Sequence, residues 1–155
     1  MRLSDYLKPE YVQINLQADS KEHLLDAMIA LAAKNPAVTD IEKVKQAIFD
    51  REKIMSTGVG KGFAIPHGKT DAVEDIVIAF AVTASPVEYE SMDHEPVRLV
   101  LLLVSRENLV GQRLKLLSRA SKVMNNDDAR NALLKAQSVA EVLAIFRAKE
   151  DKIGD

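Results

Sequence analysis

The chain has 155 residues, of which 47% are hydrophobic and 28% are charged, a balance that fits one globular domain and excludes a disordered chain. Its formal net charge of −2, with both signs interspersed, excludes a basic surface for nucleic acid or anionic lipid. It contains no cysteine, which excludes disulfides and thiolate metal sites and fits a reducing compartment. Neither a signal-peptide pattern nor an apolar run near the roughly 20 residues that span a bilayer occurs, so we predict a cytoplasmic protein with no direct membrane insertion.

A helical turn, a strand and a helix are predicted at the start of the chain. The turn in residues 1–10 should end at Pro9, and a strand should follow over Tyr11–Leu16. Apolar residues with helical spacing predict the first long helix over residues 20–34, with Asp19 as its N-cap.

A second helix is predicted over residues 40–53, before a glycine-rich stretch. Thr39 is the predicted N-cap, and the predicted buried face consists of Ile41, Val44, Ile48 and Phe49. The glycines that follow exclude a further long helix, and Pro66–Lys69 is predicted to begin a strand.

Two strongly apolar segments predict strands at the centre of a sheet. Ile76–Thr83 and Val97–Val104 are apolar on both alternating faces, which is typical of strands covered by helices on both sides. An acidic, turn-rich connection over Pro86–Pro96 joins them. Together with the predicted helices they indicate one α/β domain over residues 1–155, with no internal repeat and no linker.

Three helices are predicted after these strands. The first covers residues 108–124, with a buried side made of Leu114, Leu117, Ala120 and Met124. A polar break over Asn125–Asp128 precedes a short helix over Ala129–Ala136. The last helix begins at Ser138, its predicted N-cap, and turns inward Val139, Val142, Leu143 and Phe146.

The segment Arg51–Thr70 concentrates the residues with chemical potential. It contains three glycines spaced two residues apart, the adjacent hydroxyls of Ser56 and Thr57, several cations and the sequence Pro66-His67-Gly68. Glycines let a ligand approach backbone N–H groups, and the proline restricts the backbone just before the histidine. The segment therefore predicts an anion site around His67.

Nucleotide and metal sites fit this chain poorly. Residues 68–70 resemble the end of a phosphate-binding loop, but Phe63 stands where that motif requires glycine. The acidic cluster over residues 88–95 predicts a solvated turn rather than a cation site. The histidines lack metal-ligand spacing, since they are scattered at His23, His67 and His94. We predict no metal and no cofactor.

His67 suits nucleophilic phosphoryl transfer. A lone histidine more often has a structural hydrogen-bonding role, but here Arg51, Lys69, hydroxyls and glycines share its segment. Imidazole is mostly neutral near pH 7, and the neutral ring is a good nucleophile. Phosphoryl transfer mainly requires positioned positive charge and hydrogen-bond donors, which Arg51 and the glycine amides would provide. The residues alone predict a histidine that accepts a phosphoryl group.

The same segment resembles a known signature. It is similar to the active site of the fructose/mannitol-type IIA components of the bacterial phosphoenolpyruvate:sugar phosphotransferase system (PTS EIIA type-2 domains), which include nitrogen-regulatory IIA proteins. The matching residues are 51–52, 56–60, 62 and 64–68. Further matches at Pro96-Val97, Leu114, Leu117-Ser118 and 136–138 extend the resemblance over nearly the whole chain.

The resemblance implies a mixed β-sheet flanked by helices on both faces and the function of a phosphocarrier. His67 would accept a phosphoryl group from phospho-HPr or a related carrier and pass it to a IIB partner in sugar uptake, and Arg51 matches the family's active-site arginine. The predicted phosphoryl-binding residues are Arg113, Thr57, Gly58, Gly60 and Lys69. The alternative is a regulatory, nitrogen-type protein whose phosphorylation state controls its binding to target proteins.

Arg113 departs from the family pattern. The family's His-Leu-x-x-Leu-Ser motif has a second histidine at this position, near the phosphorylated one. Arginine cannot accept a proton, but its fixed charge can bind a phosphoryl group firmly. Either Arg113 reaches the site, stabilises phospho-His67 and slows onward transfer, or it points to solvent and the protein has a reduced or regulatory role.

Overall fold

One mixed sheet of six strands organises the computed structural model, which describes residues 1–155. The strands are β1 (Val12–Leu16), β2 (Gly58–Gly60), β3 (Phe63–Ala64), β4 (His67–Lys69), β5 (Val77–Val87) and β6 (Val97–Ser105). The helices are α1 (Lys21–Ala32), α2 (Ile41–Ile54), α3 (Val110–Met124), α4 (Asp127–Lys135) and α5 (Val139–Ile153). Two short 3-10 turns, Leu3–Asp5 and Pro9–Tyr11, precede β1.

The strand order places β4 beside the central strand β6. The sheet runs β1-β5-β6-β3-β2, and β4 also pairs with β6. β5 and β6 are antiparallel, whereas β1 is parallel to β5 and both β3 and β4 are parallel to β6. β3 and β4 therefore follow one another along the same edge of β6, with Ile65 and Pro66 between them.

Helices cover both faces of the sheet, as predicted. Residues 77, 79 and 81 of β5 pack with α1 and α2, and residues 78, 80 and 82 pack with α3, α4 and α5. The alternating side chains of β5 and β6 are buried on both sides because each face has its own apolar core. The mixed α/β fold and its flanking helices are confirmed.

Two predicted N-caps are wrong by one residue. Ser20 caps α1, with its hydroxyl accepting the N–H of His23 at 3.1 Å, and Asp40 caps α2. Thr39 instead donates its hydroxyl to the carbonyl of Ala72 at 2.9 Å. In both helices the true cap is the last residue with an extended backbone, a position that places its side chain near the first free amides. The predicted cap of α5, Ser138, is confirmed.

The predicted buried faces of α2 and α3 need correction. Ile41 and Leu114 are 42% and 61% exposed, and Leu116 takes the buried position on α3. Leu114 and Leu116 are two residues apart, so they lie on nearly opposite sides of a helix with 3.6 residues per turn. No helix of the structure has the length and apolarity that crossing a membrane requires.

Candidate functional site

The strand β4 holds His67 at the edge of the sheet. His67 pairs with Leu103 of β6, and the carbonyl of Pro66 accepts the N–H of Leu103 at 3.0 Å. The ring of Pro66 restricts its φ angle, and the bond to Leu103 holds its carbonyl, so the backbone just before the histidine is fixed. The side chain of His67 is half-buried, which leaves part of its ring open to a reactant.

A backbone carbonyl determines which nitrogen of His67 is free. Nδ1 lies 2.8 Å from the carbonyl oxygen of Ile65. A carbonyl oxygen can only accept a hydrogen bond, so Nδ1 carries the proton and donates it. In the neutral ring Nε2 is therefore the nitrogen with the lone pair. The geometry gives His67 one defined nucleophilic atom.

Close packing between α2 and β4 brings Arg51 to His67. A Cβ atom added to Gly68 would lie 3.2 Å from the backbone carbonyl carbon of Ala47, so glycine permits this approach. Arg51 lies one helical turn after Ala47 and faces the same strand. Its Nη1 donates to the carbonyl of Met55 at 2.9 Å, at the end of α2. Gly68, the residue after the histidine, thus permits the close packing of α2 on β4.

A cavity of about 410 Å³ opens beside His67. Three cations line it, and Asp50 is the one carboxylate among its lining residues, which are Ala47, Asp50, Arg51, Ile54, His67, Gly68, Lys69 and Arg113. This excess of positive charge beside a half-buried histidine suits an anionic group.

Arg113 reaches this cavity. Its Nη1 donates to the hydroxyl of the buried Ser105 at 2.8 Å and to the carbonyl of Arg106 at 3.2 Å. These bonds use one guanidinium nitrogen and leave the other two without protein partners. Arg113 therefore lies beside His67 in this cavity, and its role at a phosphoryl group stays a prediction.

The surroundings of His67 favour its neutral form. Burial lowers the pKa of His67 below its ordinary value of 6.5, and the charges of Arg51 and Arg113 lower it further. The hydrogen bond to Ile65 and the charge of Glu52 act in the opposite direction without cancelling this effect. The ring is therefore unprotonated on Nε2, and able to act as a nucleophile, at neutral pH.

A second, smaller cavity meets the first at His67 and Arg51. It measures about 250 Å³, and its lining is largely apolar, with Met55, Val59, Ile65, Met92 and Leu117 beside Ser56, Thr57 and Ser121. The histidine thus lies between a cationic cavity and an apolar one.

Thr57, Gly58 and Gly60 do not offer donors to the cationic cavity. The N–H and hydroxyl of Thr57 both bond to the buried carboxylate of Glu52, at 2.7 and 2.5 Å. The N–H of Gly58 goes to the hydroxyl of Ser56 at 3.1 Å. Gly60, with a φ of +114°, forms a turn beside Asp93 and lines neither cavity. Direct phosphoryl binding by these three residues therefore has no support in the geometry. Lys69 lines the cavity, and its binding of a phosphoryl group stays a prediction.

The sequence interpretation missed the polar residues that support this segment. Glu52 has no predicted role, although it follows Arg51 directly in the matching segment. The acidic cluster over residues 88–95 contains Asp93, whose carboxylate accepts the N–H of Lys61 at 2.9 Å and that of Glu95 at 3.0 Å. These backbone bonds lower the pKa of Asp93. The cluster thus secures the glycine turn.

Comparisons with known proteins point to one family. The family described as "Phosphoenolpyruvate-dependent sugar phosphotransferase system, EIIA 2" matches residues 5–149. A nitrogen regulatory protein of Bradyrhizobium diazoefficiens is 35% identical over 148 residues, which are 94% of this chain and 96% of that protein. The fructose-specific EIIABC component of Bacillus subtilis is 34% identical over 94% of this chain, and the chain spans only 23% of its length.

Solved structures show the same fold. The nitrogen regulatory protein IIA-Ntr of Neisseria meningitidis superposes with a TM-score of 0.88 at 30% identity, over 93% of this chain and 98% of that one. The Escherichia coli enzyme IIA for mannitol, in complex with phosphorylated enzyme IIB, has a TM-score of 0.79 at 23% identity over 92% of this chain and 97% of that one, a likeness that shows the fold alone. Because the family profile and these relatives cover nearly all of the sequence, the chain belongs to the EIIA type-2 family of the phosphoenolpyruvate-dependent sugar phosphotransferase system.

Proposed function

We propose that this chain is a phosphocarrier in which Nε2 of His67 accepts a phosphoryl group from an HPr-type phosphocarrier protein and passes it to a IIB component. The observation that carries the proposal is the 2.8 Å contact between Nδ1 and the Ile65 carbonyl, which leaves Nε2 free. Arg51, Lys69 and Arg113 line the adjoining cavity and supply positive charge. The cytoplasmic location predicted from the sequence stays a prediction.

The proposed step needs no base at His67. The lone pair of Nε2 forms a bond to phosphorus while the bond between phosphorus and the donor's imidazole nitrogen breaks, and that electron pair returns to the donor. Nδ1 keeps its proton, so the product is a phosphorylated imidazolium whose N–H the Ile65 carbonyl accepts. Arg51 and Arg113 would meet the charge on the phosphoryl oxygens as it passes.

The surface around His67 supports a protein as the phosphoryl donor. Four large apolar side chains at the rims of the two cavities are 49–79% exposed, namely Ile54, Met55, Val59 and Met92. Clustered exposed apolar side chains around a polar centre are typical of protein interfaces. We propose that a IIB partner binds the same surface. The mannitol enzyme IIA, which shares the fold, forms a complex with its phosphorylated IIB protein.

Labelling from phosphoenolpyruvate tests this function. The chain is incubated with labelled phosphoenolpyruvate and the general phosphotransferase proteins, and the acid-labile phosphate is mapped by mass spectrometry. We expect His67→Ala to abolish the label, because no other group here has a free nucleophilic nitrogen between these cations. His23→Ala, an exposed histidine outside the site, serves as the control and should keep the label. Persistent labelling of His67→Ala would overturn the proposal.

A regulatory function is the second candidate. The observation that favours it is the likeness to a nitrogen regulatory protein, 96% of which the chain covers. The resemblance stated from the sequence adds that Arg113, a permanent charge, stands at the position of the family's second histidine. A fixed cation beside phospho-His67 would stabilise the phosphorylated protein and slow its onward transfer.

The variant Arg113→His distinguishes the two candidates. Histidine restores the family motif and removes the permanent charge, so we expect a shorter lifetime of phospho-His67 and faster transfer to a IIB protein, by about 10-fold if one charge-assisted hydrogen bond of 1.4 kcal/mol is lost. Both quantities are measured by chase of the labelled protein, with Lys115→Gln as a control that removes an exposed cation of the same helix. Equal lifetimes and rates in wild type and Arg113→His would remove the special role of Arg113.

A further inference from the structure

Glu52 is a buried carboxylate that the proposed transfer step does not use. It is only 8% exposed and accepts three hydrogen bonds, from the N–H and hydroxyl of Thr57 and from the phenol of Tyr89 at 3.2 Å. Lys21 forms an ion pair with it at 3.1 Å. Because donors from α1, from the loop after β5 and from the segment before β2 converge on it, the carboxylate is held in one place.

A chain of hydrogen bonds leads from Glu52 to the ring of His67. The Glu52 carboxylate accepts the N–H of Thr57 at 2.7 Å, and the carbonyl of Thr57 accepts the N–H of Ile65 at 3.0 Å. The carbonyl of Ile65 then accepts the Nδ1–H of His67 at 2.8 Å. Ile65 is 5% exposed, so both of its bonds lie in a largely buried part of the chain.

Glu52 also closes the turn that holds Arg51. α2 ends at Ile54. The hydrogen bond that the Thr57 N–H donates to the Glu52 carboxylate spans the turn at residues 55–56. The carbonyl of Met55 within this turn accepts a hydrogen bond from the guanidinium of Arg51 at 2.9 Å. The same carboxylate therefore constrains the supports of both the nucleophile and its neighbouring cation.

We propose that Glu52 is a positioning residue for phosphoryl transfer, which sets the tautomer and orientation of His67 through Thr57 and Ile65 and the place of Arg51 through the turn at Met55. Transfer depends on the alignment of Nε2 with phosphorus, and small displacements of a reacting group slow such steps strongly. The effect on rate rests on the proposed function, whereas the effect on the ring is a property of the unphosphorylated protein.

Three variants separate positioning from general stability. Glu52→Leu keeps the approximate volume and removes both acceptors. Glu52→Gln is the conservative variant, because its amide oxygen can accept the Thr57 N–H while its amide nitrogen donates to the hydroxyls of Thr57 and Tyr89. Glu150→Gln is the matched control, since it removes the charge of another buried carboxylate whose partners lie outside the site.

The first measurement is the ¹⁵N NMR spectrum of the imidazole of His67 in the unphosphorylated protein. Wild type, Glu52→Gln and Glu150→Gln should show a protonated Nδ1 and an unprotonated Nε2. Glu52→Leu should show a mixture of the two tautomers, because the Ile65 carbonyl is no longer held toward the ring. A wild-type tautomer in folded Glu52→Leu would overturn the proposal. If Glu52→Leu does not fold, Glu52→Asp, which retracts the carboxylate by one methylene group, takes its place with the same expectation.

The second measurement is the rate of His67 phosphorylation at saturating donor protein. We expect Glu52→Leu to lower this rate by about 10-fold or more with little change in KM, and the other two variants to stay near wild type. If wild type itself takes no label, the proposed function fails while the NMR test still decides the role of Glu52. If Glu52→Leu is labelled at the wild-type rate, the positioning role fails while the proposed function stands.

Discussion

His67 owes its reactivity to a few atoms around its ring. The Ile65 carbonyl assigns the proton to Nδ1, and burial with the charges of Arg51 and Arg113 disfavours a second proton on Nε2. These two effects act together, since one selects the nucleophilic nitrogen and the other keeps it unprotonated. Arg113 thus influences the nucleophile as well as the proposed phosphoryl group.

The pH dependence of His67 follows from these charges. Because the pKa is lowered, Nε2 should stay unprotonated at pH 6.5 and above, and its reactivity should be lost only as the pH falls through the lowered value. Arg113→Gln removes one of the two charges that lower the pKa, so the midpoint should rise toward 6.5 without reaching it, because burial and Arg51 remain.

An NMR titration of the imidazole in the unphosphorylated protein checks this prediction without a donor protein. Lys115→Gln, which removes an exposed cation of α3 that lines neither cavity, is the control and should leave the midpoint in place. A midpoint unchanged by Arg113→Gln would show that its charge does not act on the ring.

At the scale of the element, the site depends on how α2 meets β4. Gly68 and Ala47 are both small, and their contact lets the helix lie directly on the strand. The sequence does not predict this contact, because the packing of a helix on a strand about 20 residues away is not visible in local spacing. Only the tertiary structure shows which residue packs against Gly68.

Gly68→Ala should disturb this contact. Its Cβ would lie 3.2 Å from a backbone atom of Ala47, which cannot rotate away as a side chain could, so α2 must shift. We expect a loss of about 1–3 kcal/mol in the free energy of unfolding, as for other overpacked contacts, and slower phosphorylation because Arg51 moves with the helix. Urea denaturation and the labelling rate measure the two effects.

Gly111→Ala is the control for this prediction. A Cβ at Gly111 would have no atom within 4 Å, and the position lies in the first turn of α3. Alanine should therefore leave the stability unchanged or raise it by up to about 1 kcal/mol. Equal free energies of unfolding for Gly68→Ala and wild type would mean that the α2–β4 contact can accommodate a methyl group without cost.

At the scale of the whole molecule, a buried carboxylate joins the two ends of the chain. Glu150, in the last turns of α5, accepts the N–H groups of Leu3 and Ser4 at 2.8 and 2.9 Å. It also forms an ion pair with Arg119 of α3 at 3.0 Å. The N-terminal turn, α3 and α5 are thereby tied together on the face of the sheet that α1 and α2 do not cover.

Glu150→Gln should weaken this junction without affecting the site. An amide cannot match the charge-assisted bonds to Arg119 and the two N–H groups, so we expect the free energy of unfolding to fall by about 1.5–3 kcal/mol. Thermal and urea unfolding measure the loss, and the ¹⁵N signals of His67 should keep their wild-type values. An altered His67 signal would indicate coupling between the two faces of the sheet.

Local pattern and chemistry, read from the sequence, determined the fold class, the two central strands, the approximate helices and the segment around His67, because apolar periodicity, caps and glycine spacing act over a few neighbouring residues. Only the tertiary structure decided what brings that segment into working order. The position of Arg113 in the cavity and the packing of α2 on Gly68 depend on distances between residues remote in sequence. Ile65 is only two residues from His67, but its carbonyl meets Nδ1 because of the backbone conformation that the sheet imposes. From the sequence, the N–H and hydroxyl of Thr57 could donate to a phosphoryl group. In the structure both donate to Glu52, because a buried carboxylate needs hydrogen-bond partners.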